Sequence, residues 1–374
     1  MTSLFQPLKA GAFDLPNRVV LAPLTRSRAD NERTPTALMT EYYARRAGFG
    51  LIVTEATSVD PLGVGYPRTP GLWSRAQVQG WARVTDAVHQ AGGRIVAQLW
   101  HVGRISDPIY LGGRAPLAPS AVAPGDAAGT ISLVRPQRPY GVPRAMDEAD
   151  IARAIASFAQ AARNAADAGF DGVEIHGANG YLLDQFLQTG SNHRADAWGG
   201  SLERRARLAL EVVDAVAEVW GADRVGYHLS PRADILGMGD EDPAATFTHL
   251  VDQLSQRRLA FVISRDPEGP GTLAPLLRPR FHGTWIANGG FTPERAAAVV
   301  EAGAADAVAF GQLSIPNPDL PDRLRRGLPL ARPVAATFYN EHRFLFDGER
   351  MPPEGYHPSD RRGYLDFERA TVDA

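Results

Sequence analysis

His176, Asn179 and Tyr181 share the six-residue run His-Gly-Ala-Asn-Gly-Tyr. An imidazole and a carboxamide at this spacing can converge as hydrogen-bond donors on one oxygen, polarising a carbonyl as negative charge develops on it. A phenol beside them is a weak acid, yet strong enough to protonate a more basic carbanion. The run continues directly from Gly-Val-Glu-Ile, which reads as a short strand, so all three residues would stand at or just beyond its C-terminal end. A lone histidine there would more often cap its strand, and a lone tyrosine would pack against the leucines that follow. Three complementary side chains in one loop favour a carbonyl grip with proton delivery.

The elements that must carry this loop alternate along the chain. Strand candidates lie at 18–22, 51–54, 94–100, 172–176, 224–229, 260–264, 284–287 and 306–310. Amphipathic helical patterns lie between them, at 36–47, 76–91, 148–168, 202–220, 243–257 and 293–302. Continuous apolar strands separated by helices make a parallel sheet covered on its outer face. Eight such units in 374 residues predict an α/β fold, a (β/α)8 TIM barrel, as a single domain over 1–374. An open dinucleotide-binding sheet would want a Gly-x-Gly-x-x-Gly turn after an early strand, and the sequence has none. Residues 101–146, rich in Gly and Pro, are expected to form a capping insertion after the third strand. Residues 329–374 form a divergent C-terminal tail expected to wrap the barrel's outside or rim.

Alternate residues of a barrel strand point inward. One face of the third strand carries Val96, Gln98 and Trp100; the fourth carries Gly172, Glu174 and His176, and the fifth Gly226, His228 and Ser230. These polar sets are expected inside, toward the strand ends where barrel chemistry is done. Glu174 would then need partners, because a lone buried carboxylate is costly. His101 reads as a loop anchor, and Arg204, Arg205 and Arg207 as a solvated helix face with one or two ion pairs.

The chain is 44% hydrophobic and 22% charged with a net charge of −3, which offers no electrostatic footprint for nucleic acid or a membrane surface. It has no cysteine, which excludes disulfides, thiolate nucleophiles and Cys-ligated metals. The spacing of His, Asp and Glu suggests no metal site. With no membrane-length apolar run and no signal-like N-terminus, a cytoplasmic protein acting on a small molecule is expected.

The stretches LFQPLKAG, LPNRVVLAPLTRSRA, EYYARRA, GLIVTEAT, QLWHVGR, AGFDGVEIHGANGYLLDQFL, SNHRADAWGGSLERRARL, ADAVAFG and PNPDL follow one another from Leu4 to about Leu320. On these the sequence resembles the Old Yellow Enzyme family of FMN-dependent ene-reductases. The resemblance implies FMN across the barrel mouth, with Thr25 at the flavin O4 edge, Gln98 at the pyrimidine edge, and Pro23 and Ala56 lining the ring. His176 and Asn179 would hold a carbonyl or nitro oxygen, and Tyr181 would protonate the α-carbon after hydride reaches the β-carbon. Tyr66 and Trp100 match positions that shape the substrate pocket. NADPH or NADH would visit the same site to reduce the flavin, which agrees with the missing glycine fingerprint.

Two positions depart from the family pattern. An arginine usual on the fifth strand, beside the flavin N1 and O2, is His228, and the arginine usual at the FMN phosphate is Gln312. Charge-assisted hydrogen bonds contribute roughly 1.5–3 kcal/mol each, so losing both would weaken FMN by about two to four decades. Backbone amides around Asn288, Gly289, Gly290 and Gly311 could still cradle the phosphate. Arg265 stands near a position where the family more often has an acid. The family's C-terminal glycine and tyrosine motif is altered, with Asn340 to Arg343 after Thr337-Phe338-Tyr339 and a looser match at 354–358. An alternative therefore stands beside the redox reading: a flavin-free isomerisation, cyclisation or elimination, using the same grip and acid with His228 as base. A non-catalytic small-molecule binder is the third reading, and the intact triad argues against it.

Overall fold

Eight parallel strands close on themselves: β1 (Val19–Leu21), β2 (Leu51–Val53), β3 (Ile95–Trp100), β4 (Gly172–His176), β5 (Val225–Leu229), β6 (Phe261–Arg265), β7 (Thr284–Asn288) and β8 (Ala307–Phe310). Pairing runs β2-β1-β8-β7-β6-β5-β4-β3, and β2 pairs again with β3 to shut the ring. The computed structural model describes residues 2–125, 139–232, 236–335, 338–339, 361 and 363–367. Thr337 and the altered motif at 340–343 and 354–358 lie outside the described residues.

The longer helices of the outer layer are α1 (Ala37–Ala44), α2 (Arg75–Gln90), α3 (Glu148–Asp167), α5 (Leu202–Trp220), α6 (Pro243–Gln256) and α8 (Pro293–Glu301); α4 (Leu182–Leu187) and α7 (Ala274–Leu277) are single turns or little more. Their starts follow from local chemistry. Ser74 and Gln77 form a reciprocal capping box on α2, and Asp147 and Asp150 do the same on α3. The pattern for α1 extends to 47, but the helix ends at Ala44. Arg46 and Ala47 donate three residues back, so the last turn tightens out of the α-helical pattern.

Strand alternation sorts the core into two compartments. Ile95, Ala97, Leu99, Val173, Ile175 and Tyr227 pack outward against the helices. Val20, Leu51, Val53, Val96, Phe261 and Ile263 fill the interior, joined by Phe13 and Leu15 from a hairpin (Leu8–Ala10 with Phe13–Leu15) at the N-terminal end. Gly226 is required there, since a Cβ would stand 2.1 Å from the Phe261 ring. Above this apolar plug the interior turns polar, with Gln98, Glu174, His176 and His228 all buried.

One surface expectation is corrected. Arg205 is buried, not solvated: it donates to the carbonyls of Leu187 (2.8 Å) and Gly200 (2.5 Å) and to Thr246 Oγ1 (2.9 Å). It lies where the end of α4 meets α5, and its fork satisfies chain-end carbonyls that lack helical partners. Arg207 does lie outward, pairing with Glu211 while covering the Trp198 ring at 4.1 Å.

The described end of the tail returns to α1. Tyr364 stacks on Tyr42 with centroids 4.4 Å apart, Arg361 forms a forked pair with Glu41, and Arg26 donates to the carbonyls of Phe338 and Gly363. Beside them Glu55 is fully buried, accepting from the backbone N–H groups of Arg26 (3.0 Å) and Ser27 (3.2 Å). Burial raises its carboxyl from 4.5 to about 7, against those hydrogen bonds and the nearby arginines. The folded state thus keeps a proton that the unfolded chain has lost between these two values. The contribution is fully present below 4.5 and is lost as pH rises through about 7. Glu55→Gln should therefore become steadily less harmful with rising pH, by roughly 1.4 kcal/mol per pH unit across that window. Denaturant unfolding of both proteins at several pH values checks this; a constant difference would refute it.

Candidate active site

The register of β3, β4 and β5 gathers the polar side chains. Gln98 pairs across with Glu174, and His228 with His176. Gln98 Nε2 donates to Glu174 Oε2 at 2.6 Å, and His228 Nδ1 stands 3.3 Å from Glu174 Oε1. The Glu174 carboxylate is thus held between an amide and an imidazole. The two histidine rings stack, centroids 5.5 Å apart, and buried His228 Nε2 has no hydrogen-bond partner.

His176 presents a hydrogen-bond donor to the barrel mouth. The Ala178 backbone N–H donates to its Nδ1 (3.3 Å), so in the neutral ring the proton is on Nε2. Burial, with His228 and Arg265 nearby, holds this imidazole well below its ordinary value, so neutral is its resting state. Asn179 sits in the left-handed region at φ 59°, its N–H bonded to Ser230 Oγ at 2.7 Å. Its Oδ1 accepts from Arg265 Nη1 at 2.5 Å, which leaves the amide Nδ2 as the free donor.

Tyr181 heads α4, and its ring meets both Trp100 (5.0 Å) and His176 (5.1 Å) edge to face. Its hydroxyl lies 3.0 Å from that of Tyr66, whose ring stacks on Trp100. Burial pushes the Tyr181 phenol above its usual range, while the Tyr66 hydrogen bond acts the other way. Ala56, Trp100, Val102 and Ile105 make an apolar patch against Tyr66, Tyr140 and Tyr181. Arg104 ties down the surrounding loops, donating to the carbonyls of Val122, Leu236 and Gly237.

The remaining expected residues lie round the same rim. Pro23 and Thr25, half-buried, follow β1, and the Ala22 N–H bonds to the Phe310 carbonyl at the end of β8 (3.1 Å). Gly311 and exposed Gln312 come next on that side. Gly289 and Gly290 follow β7 with φ of 148° and 84°; a Cβ on Gly289 would lie 2.8 Å from Pro267 Cα, whereas one on Gly290 would meet open space. Among the described residues no group of three or more His, Cys, Asp or Glu could hold a metal, and no helix is long and apolar enough to cross a membrane.

Comparison with known proteins agrees with this geometry. The sequence pattern of the NADH:flavin oxidoreductase / NADH oxidase family matches residues 3–331. The chain belongs to this family. It is 44% identical over 342 residues to a probable flavin mononucleotide-dependent alkene reductase of Leishmania infantum, covering 90% of this chain and 94% of that protein. It is 41% identical to the flavin oxidoreductase hxnT of Emericella nidulans, covering 94% and 96%. Among solved structures, the Old Yellow Enzyme homologue of Zymomonas mobilis superposes with a TM-score of 0.88 at 40% identity, covering 98% of this chain and 99% of that one. Morphinone reductase in complex with tetrahydroNAD gives 0.88 at 42% identity, covering 98% of each. Old Yellow Enzyme membership makes the chain an oxidoreductase on a TIM barrel.

The family's FMN can be tested against the residues present, and they fit. The orphaned Nε2 of His228 awaits a partner, Gln98 keeps its carbonyl oxygen as an acceptor, and the Gly289-Gly290 turn opens backbone N–H groups beside the start of α8. Sequence reasoning missed the Tyr66–Tyr181 and Arg265–Asn179 hydrogen bonds and the presence of Tyr140. The partners lie far apart in the chain, and Tyr140 comes from the insertion, whose sequence carries no periodic signal.

Proposed function

We propose that this protein is an FMN-dependent ene-reductase acting on small enones, enals or nitroalkenes, with NADPH or NADH as reductant. The observation that carries this reading is the fixed polarity of the grip: His176 Nε2 and Asn179 Nδ2 are both left as donors by their other hydrogen bonds. Thr25, Gln98, His228 and the Gly289-Gly290 and Gly311-Gln312 turns would hold FMN, which would supply hydride to the substrate's β-carbon. His176 and Asn179 donate to the substrate oxygen and strengthen their hold as negative charge collects there. Tyr181 then gives its phenolic proton to the α-carbon. Burial keeps that proton in place near neutrality, so the acid is always loaded. Tyr66 steadies the resulting phenolate through the hydroxyl contact at 3.0 Å. Trp100, Val102 and Ile105 keep the proton path apolar.

The test is direct. Purified protein should be yellow, retain FMN through gel filtration, and reduce cyclohexenone at the expense of NADPH or NADH. Protein that stays colourless with excess FMN, and binds none by calorimetry, would sink this reading. The flavin-free acid–base alternative would then take its place.

A further inference from the structure

We infer that Arg265 recognises a carboxylate on the substrate, so that the protein selects unsaturated carbonyl compounds that are also carboxylic acids. The inference rests on the ene-reductase reading above and names the substrate class of that same site.

Arg265 is the last residue of β6, exposed at the rim and paired across with Asn288 of β7. It is not a free surface cation. Its Nη1 donates to Asn179 Oδ1 at 2.5 Å, and Asn179 is itself fixed by the bond from its N–H to Ser230. The guanidinium is thereby held against one of the two groups that grip the substrate oxygen. Its charge reaches His176 and Tyr181 as well. That bond already removes part of the rotamer freedom that an arginine loses on binding an anion.

Among the described residues the charge is also uncompensated. Neighbouring Asp266 is fully engaged, accepting from Arg232 Nε (2.6 Å), Thr272 Oγ1 (2.7 Å) and the N–H groups of Leu273 and Ala274 (2.8 Å each). Nearby cations that follow the C-terminal strand ends have acids of their own: Arg232 has Asp266 and Arg295 has Glu268. Among the described residues Arg265 has no carboxylate within ion-pair distance. A guanidinium carries five N–H donors in a fork matched to a carboxylate, and the bond to Asn179 leaves enough of them for a forked contact. The complementary ligand is an anion attached to the gripped carbonyl compound. A phosphate of the nicotinamide coenzyme offers related chemistry, and the experiment separates the two.

Oxidised, FMN-loaded protein without coenzyme cannot turn over, so calorimetry reads binding alone. β-Acetylacrylate and its methyl ester share one enone; the ester lacks the charge and carries one added methyl. The acid should bind at least tenfold more tightly than the ester. Arg265→Gln should erase that preference, Arg265→Lys should keep part of it, and added salt should weaken it in the wild type. In steady state Arg265→Gln should raise KM for the acid ten- to hundredfold more than KM for the ester, while any loss of kcat through the released Asn179 amide should be the same for both. A merely structural role would weaken acid and ester alike. Equal affinity for acid and ester in the wild type, or an unchanged ratio in Arg265→Gln, would overturn the inference. So would a rise confined to the KM of NADPH or NADH, which would assign Arg265 to the coenzyme. If neither compound is reduced, the ene-reductase reading fails separately, and the binding ratio still decides the role of Arg265.

Discussion

Tyr181→Phe should slow reoxidation of the reduced protein by an unsaturated ketone roughly 10²–10⁴-fold, the usual contribution of a positioned general acid. The substitution deletes one oxygen and leaves the ring, so the edge contacts with Trp100 and His176 can survive. What goes is the phenolic proton beside His176, against the apolar wall of Trp100, Val102 and Ile105. Tyr66 sets the lower bound on the loss. Its hydroxyl lies 3.0 Å from that of Tyr181 and could act as a second, poorly placed acid. The double variant Tyr66→Phe/Tyr181→Phe should therefore fall below the single one, whereas Tyr66→Phe alone should cost about tenfold, as expected for one lost hydrogen bond. Stopped-flow measurement of the two half-reactions separates chemistry from architecture. Loss confined to reoxidation by the ketone marks proton delivery. Equal loss in reduction by NADPH and in reoxidation would show that Tyr181 only builds the pocket.

The parts of this site that were legible in the sequence are those that strand geometry dictates. Because side chains alternate along a strand, placing His176 at the end of β4 also placed Glu174 inside and Ile175 outside, and the same parity brought Gln98 and His228 to one cluster. Direction was not legible. Which nitrogen of His176 donates depends on the Ala178 N–H, and which end of the Asn179 amide is free depends on Arg265, a residue from another strand. Such choices are made by partners that meet only after the ring closes. Arg205 shows the same limit from the opposite side. A helical pattern tells which face a residue lies on, but not that the end of α4 at Leu187 and the loop ending at Gly200 would bring carbonyls to that face. The tail was opaque for a further reason. Tyr364 reaches its stacking partner Tyr42 across most of the chain length, and nothing local in either segment announces the pair.

Restoring arginine at both altered positions should tighten FMN by about two to four decades, provided each new cation finds the anion that the fold presents to it. Gln312 is exposed, so Gln312→Arg has room to swing toward the phosphate, and its effect should fade with salt. His228→Arg is the harder change, because a buried cation is costly unless paired. The structure supplies the pair. Glu174 lies on β4 two residues before His176, the register partner of His228, with Oε2 taken by Gln98 and Oε1 still lacking a true hydrogen bond. An arginine at 228 could fork onto Glu174 and still extend past it, where the imidazole leaves Nε2 unpartnered. The two substitutions sit on different strands, β5 and the turn after β8, so their effects should add to within a few tenths of a kcal/mol. Fluorescence titration of the apoprotein with FMN, on both single variants and the double, tests each part. If His228→Arg weakens FMN while Gln312→Arg tightens it, then the Glu174 cluster has been rebuilt around the imidazole. In that case His228 is a cofactor-binding residue in its own right, not a diminished arginine.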